Sequence, residues 1–210
     1  MRGIRSRVRA YYSNAVERYG ATPLGVDWSN AASQQLRFLQ LLKLCDFENA
    51  FGLNDFGCGY GALLAYLNEW HPGATIDYHG IDLSPAMIAT ARKLWAKKRA
   101  PAATFVVGSK CARVADYSIA SGVFNVRLRQ PIGVWEAYVE DILTDLHASS
   151  RIGFAVNFML PLDDAPTENE LYRTPTRRWV TYCRNELGCT VKPVVGYGLR
   201  EFTLLVRRRT

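Results

Sequence analysis

The residues able to do chemistry in this chain concentrate in one octapeptide, Asn54-Asp55-Phe56-Gly57-Cys58-Gly59-Tyr60-Gly61, and one later carboxylate, Asp82. Glycines at alternate positions let a backbone turn sharply and approach a ligand, and the helix expected to follow presents unpaired N–H groups at its start. Asp82 follows Gly61 by 21 positions, about the separation at which a carboxylate meets two ribose hydroxyls. Turn and carboxylate together indicate a ligand containing a nucleoside. Two classes fit, because Gly57-x-Gly59-x-x-Ala62 also satisfies the dinucleotide fingerprint with alanine last. Asp55 separates them: it repels a pyrophosphate at the mouth of the turn and attracts a ligand with an ammonium and a sulfonium.

Such a turn needs a strand before it and a helix after it. From Phe51 short β-like runs alternate with longer helical ones, a pattern that argues for a mainly parallel sheet covered by helices. Strands are read at Phe51 to Asp55, TIDYHGID, ATFVVG, YSIASGVF and RIGFAVNF. Helices are read at ALLAYLNEW, from Pro85 through AMIATARKLWAKKR, from Gly133 to His147, and around Arg177 to Leu187. Ser84 as N-cap and Pro85 in the first turn mark the start of the second. CTVKPVVGY and EFTLLVRR are joined by Gly-Leu-Arg, too short for a crossover helix, so they should pair antiparallel.

The expected fold is therefore α/β, a seven-stranded and mostly parallel Rossmann-like sheet with an antiparallel C-terminal hairpin and helices on both faces. Two helical stretches precede it. Ile4, Val8, Tyr12, Ala15 and Tyr19 recur at helical spacing up to Gly20, and a second helix begins near Ser29 or Asn30. Its apolar line is read as Leu36, Leu39 and Leu42, with Arg37 off that line. Residues 1–46 are read as a helical lid and residues 47–210 as one globular unit.

DFGCGYG followed by GIDLSPAMIATAR resembles the first two motifs of class I S-adenosylmethionine-dependent methyltransferases, and the terminal hairpin is similar to that fold's last two strands. More narrowly, GATPLGVDW with ASGVFN and EFTLLV resembles one bacterial subgroup acting on small molecules. The resemblance implies S-adenosylmethionine as cofactor, with Asp55, Gly57, Gly59 and Gly61 at its methionine end, Asp82 on the ribose, and Leu83 and Met87 beside adenine. It places Ser109 near the adenine edge, where such enzymes often carry an acidic residue and this chain reads Gly108-Ser109-Lys110. It also implies that Arg37 meets the methionine carboxylate. Trp28 could stack over a sulfonium, since aromatic faces attract such cations.

The acceptor should enter beyond the carboxyl ends of the strands. That selects Ser121, Gly122, Phe124 and Asn125 after the fourth strand and Asn157 and Phe158 at the end of the fifth, with Tyr12 and Tyr11 as wall residues of the lid. Arg127 and Arg129 could receive an anionic acceptor. No catalytic residue is assigned: methyl transfer asks chiefly for alignment and exclusion of water, and His71, His79 and His147 stand away from the expected site. SGVFN replaces the [DN]-P-P-[YF] with which amino-methylating nucleic-acid enzymes grip an amine.

The net charge of +7 raises the question of nucleic acid. Seven of the 26 basic residues are Arg2, Arg5, Arg7, Arg9 and Arg207 to Arg209, and the remaining 19 equal the acidic ones. The body of the chain is neutral, so the primary reading is a methyltransferase for a small molecule, an anionic one among the acceptors expected, and nucleic acid is not expected as partner. An RNA methyltransferase using the basic ends is one alternative; an NAD(P)-dependent oxidoreductase, disfavoured by Asp55, is another. Five cysteines without a CxxC pair suggest reduced thiols and no metal site. With no apolar run long enough for a membrane span, a cytoplasmic monomer or homodimer is expected.

Overall fold

The computed structural model describes residues 2–26, 30–98, 103–162 and 170–209. In chain order the elements are α1 (Arg2–Tyr19), α2 (Ala31–Leu41), β1 (Phe51–Phe56), α3 (Ala62–Trp70), β2 (Ile76–Asp82) and α4 (Pro85–Lys98). They continue with β3 (Ala103–Val107), β4 (Ala115–Ala120), α5 (Ile132–Ala148), β5 (Ser150–Met159), α6 (Thr176–Asn185), β6 (Thr190–Val194) and β7 (Glu201–Arg207). The seven strands form one sheet in the order β3-β2-β1-β4-β5-β7-β6. β1 to β5 run parallel, and β7 runs antiparallel to both β5 and β6. The strand order reverses between β1 and β4, and an open α/β sheet forms its ligand crevice beyond the carboxyl ends of strands at such a point.

Period-two alternation divides the core. Phe51 and Leu53 of β1 pack in one cluster with Phe38 and Leu41 of α2, Leu63 and Leu67 of α3 and Trp95 of α4. Phe56 points the other way, into a second cluster with Trp135, Tyr138 and Leu143 of α5 and Trp179 of α6. α1 adds Ile4 and Val8 to this second cluster, while α2 belongs to the first, so the core continues through the segment before residue 47.

Start and stop signals act as expected at several ends. The Asn30 side chain accepts from Ser33 N at 2.8 Å to cap α2, and Ser84 Oγ accepts from Met87 N at 3.1 Å to cap α4. After α1 the chain turns at Gly20, whose φ is +66° and whose N–H bonds Val16 O at 2.8 Å. α1 is tied down at two points: Arg5 Nη2 pairs with Asp141 Oδ2 of α5 at 2.6 Å, and Ser13 Oγ lies 2.7 Å from the capping Ser84 Oγ.

Two expectations need correction. Of the expected apolar line Leu36, Leu39 and Leu42, Leu42 is buried just past α2, Leu36 is half-buried and Leu39 is 47% exposed, while the buried residues of α2 are Gln34, Arg37, Phe38, Gln40 and Leu41. Phe38 and Leu41 pack into the core, and Arg37 on the same side of the helix has a buried acidic partner, described below, that sequence spacing cannot reveal. The fourth strand stops at Ala120 rather than at Phe124; Gly122, with φ of +73°, turns the chain, and Asn125 N bonds Gly122 O at 3.3 Å.

The C-terminal arginines have structural tasks. Arg207 Nη2 donates to Leu44 O at 2.7 Å, and Arg208 Nη1 donates to His147 O at 2.7 Å, at the last turn of α5. No helix among the described residues is long and apolar enough to cross a membrane.

Candidate active site

Beyond the end of β1 the backbone folds onto the end of β2: Gly57 N and Cys58 N both donate to Ile81 O, at 2.7 and 3.0 Å. Gly57, Gly59 and Gly61 all have positive φ, a region that side chains occupy at a cost. At Gly61, φ +86°, a Cβ would also stand 2.4 Å from Trp95 Nε1, which donates to Tyr60 O at 3.1 Å and so pins the turn to α4. No side chain caps α3.

The Asp82 carboxylate joins the turn to the next helix. Its Oδ2 accepts from Gly59 N at 3.0 Å and its Oδ1 from Ser84 N at 2.8 Å. Burial pushes its pKa up to about 6 against the lowering effect of these N–H groups. Asp55, at the end of β1, accepts from the Tyr78 hydroxyl at 2.5 Å. Burial is again the largest influence, the Tyr78 hydrogen bond opposes it, the Asp82 charge adds to it, and the Asp55 pKa reaches about 7.

Both carboxylates line one cleft. Gly57, Gly59, Leu83 and Met87 also line it, as do Gly108, Ser121, Gly122 and Val123. The opposite wall comes from helices: Val8, Arg9 and Tyr12 of α1, Gln34 and Phe38 of α2, and Tyr138 of α5. Arg9 contributes the sole basic side chain among these described lining residues. The buried Asp55 and half-buried Asp82 suit a ribose-bearing ligand with a positive end, the glycine turn and uncapped helix start suit a carboxylate on it, and an apolar remainder suits a flat ring. Among the described residues no group of His, Cys, Asp and Glu could hold a metal ion.

Several expected site residues lie elsewhere. Arg37 is absent from the cleft wall: its Nε and Nη2 hold Glu201 Oε2 and Oε1 at 2.7 and 2.5 Å, with both residues buried. Asn157 is likewise occupied, its Oδ1 accepting from Gly122 N at 2.7 Å and its Nδ2 donating to Glu201 Oε2 at 3.0 Å. Phe124 is fully buried and stacks on Phe158 at 4.9 Å, as core packing requires. Asn125 is also off the cleft wall, and its carbonyl accepts from Tyr172 N at 2.7 Å. Gly61 lies behind the turn, against Trp95. Ser109 lines an adjoining groove with Arg5, Ser6 and Arg9 rather than the cleft itself. Arg127 donates to Gln130 O and Arg129 pairs with Glu170, both away from the cleft. Trp28 lies outside the described residues.

The histidines stand in structural settings: His71 stacks on Phe47 at 3.9 Å, His79 Nδ1 bonds Thr104 Oγ1 at 2.5 Å, and His147 faces Cys189 Sγ. Sequence reading missed Arg9, Gln34, Phe38 and Tyr138. Their only signal was helical spacing: Val8 with Tyr12, and Gln34 with Phe38, each four apart on one face.

Comparisons with known proteins agree with this geometry. A family described as "Methyltransferase domain" matches residues 54–145, from the glycine turn into α5. The chain is 40% identical over 168 residues to "Putative methyltransferase Rv1506c" of Mycobacterium tuberculosis (strain ATCC 25618 / H37Rv), covering 80% of this chain and 99% of that protein. It is 45% identical over 62 residues to trans-aconitate 2-methyltransferase of Escherichia coli (strain 55989 / EAEC), spanning 30% of this chain and 24% of that one. Magnesium protoporphyrin IX methyltransferase from Synechocystis PCC 6803, solved with bound SAM, superposes with a TM-score of 0.70. That likeness carries 15% identity and covers 98% of this chain and 97% of the other.

Proposed function

Since the chain belongs to the class I S-adenosylmethionine-dependent methyltransferases, we propose that it moves a methyl group to an oxygen or nitrogen of a small, anionic molecule. The observation that carries the reading is the pair of carboxylates, the buried Asp55 and the half-buried Asp82, flanking the glycine turn at one cleft. Asp82 accepts the ribose hydroxyls with the lone pairs that Gly59 and Ser84 leave open. Asp55 balances the positive end of the cofactor, while Leu83 and Met87 flank its adenine.

The bound cofactor supplies a methyl group on a sulfonium, open to in-line displacement by a nucleophile of the acceptor. The protein needs no nucleophile of its own. Its task is to align the acceptor and keep water away, and α1 serves that purpose by laying Val8 and Tyr12 over the cleft. This makes the N-terminal helix the cover of the site. Arg9, on the same helix, supports a negatively charged acceptor, since a guanidinium matches a carboxylate or phosphate.

The test is incubation of the protein with isotope-labelled S-adenosylmethionine and a cell metabolite extract, followed by anion-exchange separation. Label is expected in a small acidic molecule, or in its methyl ester where a carboxylate is the acceptor. Label found only in RNA, or in no product at all, would overturn the proposal.

A further inference from the structure

We propose that Tyr78 is a positioning residue through which the site selects the positively charged methyl donor over its neutral demethylated product, by holding Asp55 as an anion directed at the cofactor. The inference rests on reading the cleft as an S-adenosylmethionine site. Donor and product share the adenosine, the ammonium and the carboxylate. They differ in one methyl group and in the sulfonium charge, so a negative charge held beside the sulfur separates them.

The geometry supplies that charge. Asp55 is 3% exposed and Tyr78 1% exposed, and the phenol donates to Asp55 Oδ2. In the β1–β2 ladder Asp55 lies opposite Gly80, two positions after Tyr78 and two before Asp82, so all three β2 residues share a face. β2 thus aims at Asp55 both a donor that favours its anion and a carboxylate that opposes it. Cys58, in the turn, is a buried thiol raised well above its ordinary range, so it brings no charge. From α1 come Arg9 and Tyr12, and from α5 comes Tyr138, whose ionisation is also pushed up by burial. α2 brings only the neutral Gln34 and Phe38. The groups that set the ionisation of Asp55 are burial, Tyr78 and Asp82, and the bound sulfonium provides the missing counter-charge.

A direction of pH dependence follows. Asp55 in the free protein titrates at about 7, above its ordinary 3.8. A cation beside it favours the carboxylate, so below that midpoint donor binding expels a proton and the affinity rises with pH, then levels off above it. The product, lacking the sulfonium charge, gains less. The ratio of donor to product affinity therefore climbs through neutrality.

Calorimetric titration of the full chain with S-adenosylmethionine and with S-adenosylhomocysteine, from about pH 6 to about pH 8.5, tests this. The affinity ratio is expected to rise by about three- to tenfold. In Asp55→Asn it is expected to stay flat. Tyr78→Phe removes the bond that lowers the Asp55 pKa, so the midpoint moves to more alkaline pH, an effect that mere loss of packing does not produce. If Tyr78→Phe fails to fold, proton release by the unaltered protein is counted in buffers of different ionisation enthalpy. More protons released by donor than by product below pH 7 support the proposal. Equal release, a ratio independent of pH, or an unmoved midpoint in the folded variant would falsify it. Binding of neither compound would instead bring down the cofactor reading itself.

Discussion

At the carboxyl ends of β1 and β2 the polar side chains stay available to a ligand, whereas at the ends of β5 and β7 they are consumed by one another. Asp55 and Asp82 are each held by neighbours in the chain or on the adjacent strand, and both line the cleft. Asn157, near the carboxyl end of β5, and Glu201, at the start of the antiparallel β7, lie at the same edge of the sheet, yet with Arg37 they form a buried chain of hydrogen bonds that ends on Gly122 N. Only Gly122, a backbone group, reaches the cleft from that chain. A polar residue at a strand end thus serves a ligand when it still lines the cleft after its protein contacts are made. In the second region the buried charges keep the 121–123 turn in place, and the contact with any ligand passes to apolar side chains and to α1.

The largest effect that would break this comparison belongs to Glu201. Glu201→Ala leaves Arg37 buried without its carboxylate and Asn157 without its acceptor, and should cost about 3–5 kcal/mol of stability. Chemical denaturation checks it; a loss under about 1 kcal/mol would mean that the Arg37–Glu201 pair does not hold this region together. Asp82→Ala should act the other way, on binding more than on folding. Cofactor affinity is expected to fall by about 1–3 kcal/mol, through lost ribose contacts and a loosened Gly59, as measured by calorimetry. Unchanged affinity would show that the first region, too, spends its acids on itself. The smallest effect is expected at Arg208, where Arg208→Ala removes a cation from the last carbonyls of α5. It should lower stability by about 0.3–1 kcal/mol without altering how cofactor affinity depends on salt. A clear salt response confined to the native protein would restore a role for the basic ends in holding a polyanion.

The same division governs what could be read from the chain. The glycine turn, the Ser84 cap, Pro85 and the antiparallel direction of the last two strands were legible because each is set within a few residues, although β6 stops at Val194 and the link before β7 has six residues rather than the expected three. Asp82 was legible because a strand-turn-helix-strand unit has a nearly constant length. Arg37 was not: its role as a buried ion-pair partner depends on Glu201, 164 positions away. Leu39, read as core, faces out because the distant elements packed on α2 receive Phe38 and Leu41 instead.

By itself, the sequence determined the strands, most of the helices, the direction of the final hairpin and the acidic pair around the glycine turn. Local geometry and hydrophobic period are written in neighbouring residues and need no knowledge of the rest. Only the tertiary structure decided which polar groups remain for a ligand. It set Arg37 on Glu201, closed Asn157 between a backbone N–H and a carboxylate, aimed Tyr78 at Asp55 and turned Arg9 and Tyr12 of α1 toward the cleft. Each of these depends on the rotation of a helix or the register of a strand against distant partners, and a buried polar group takes whichever partner the packed chain brings within about 3 Å.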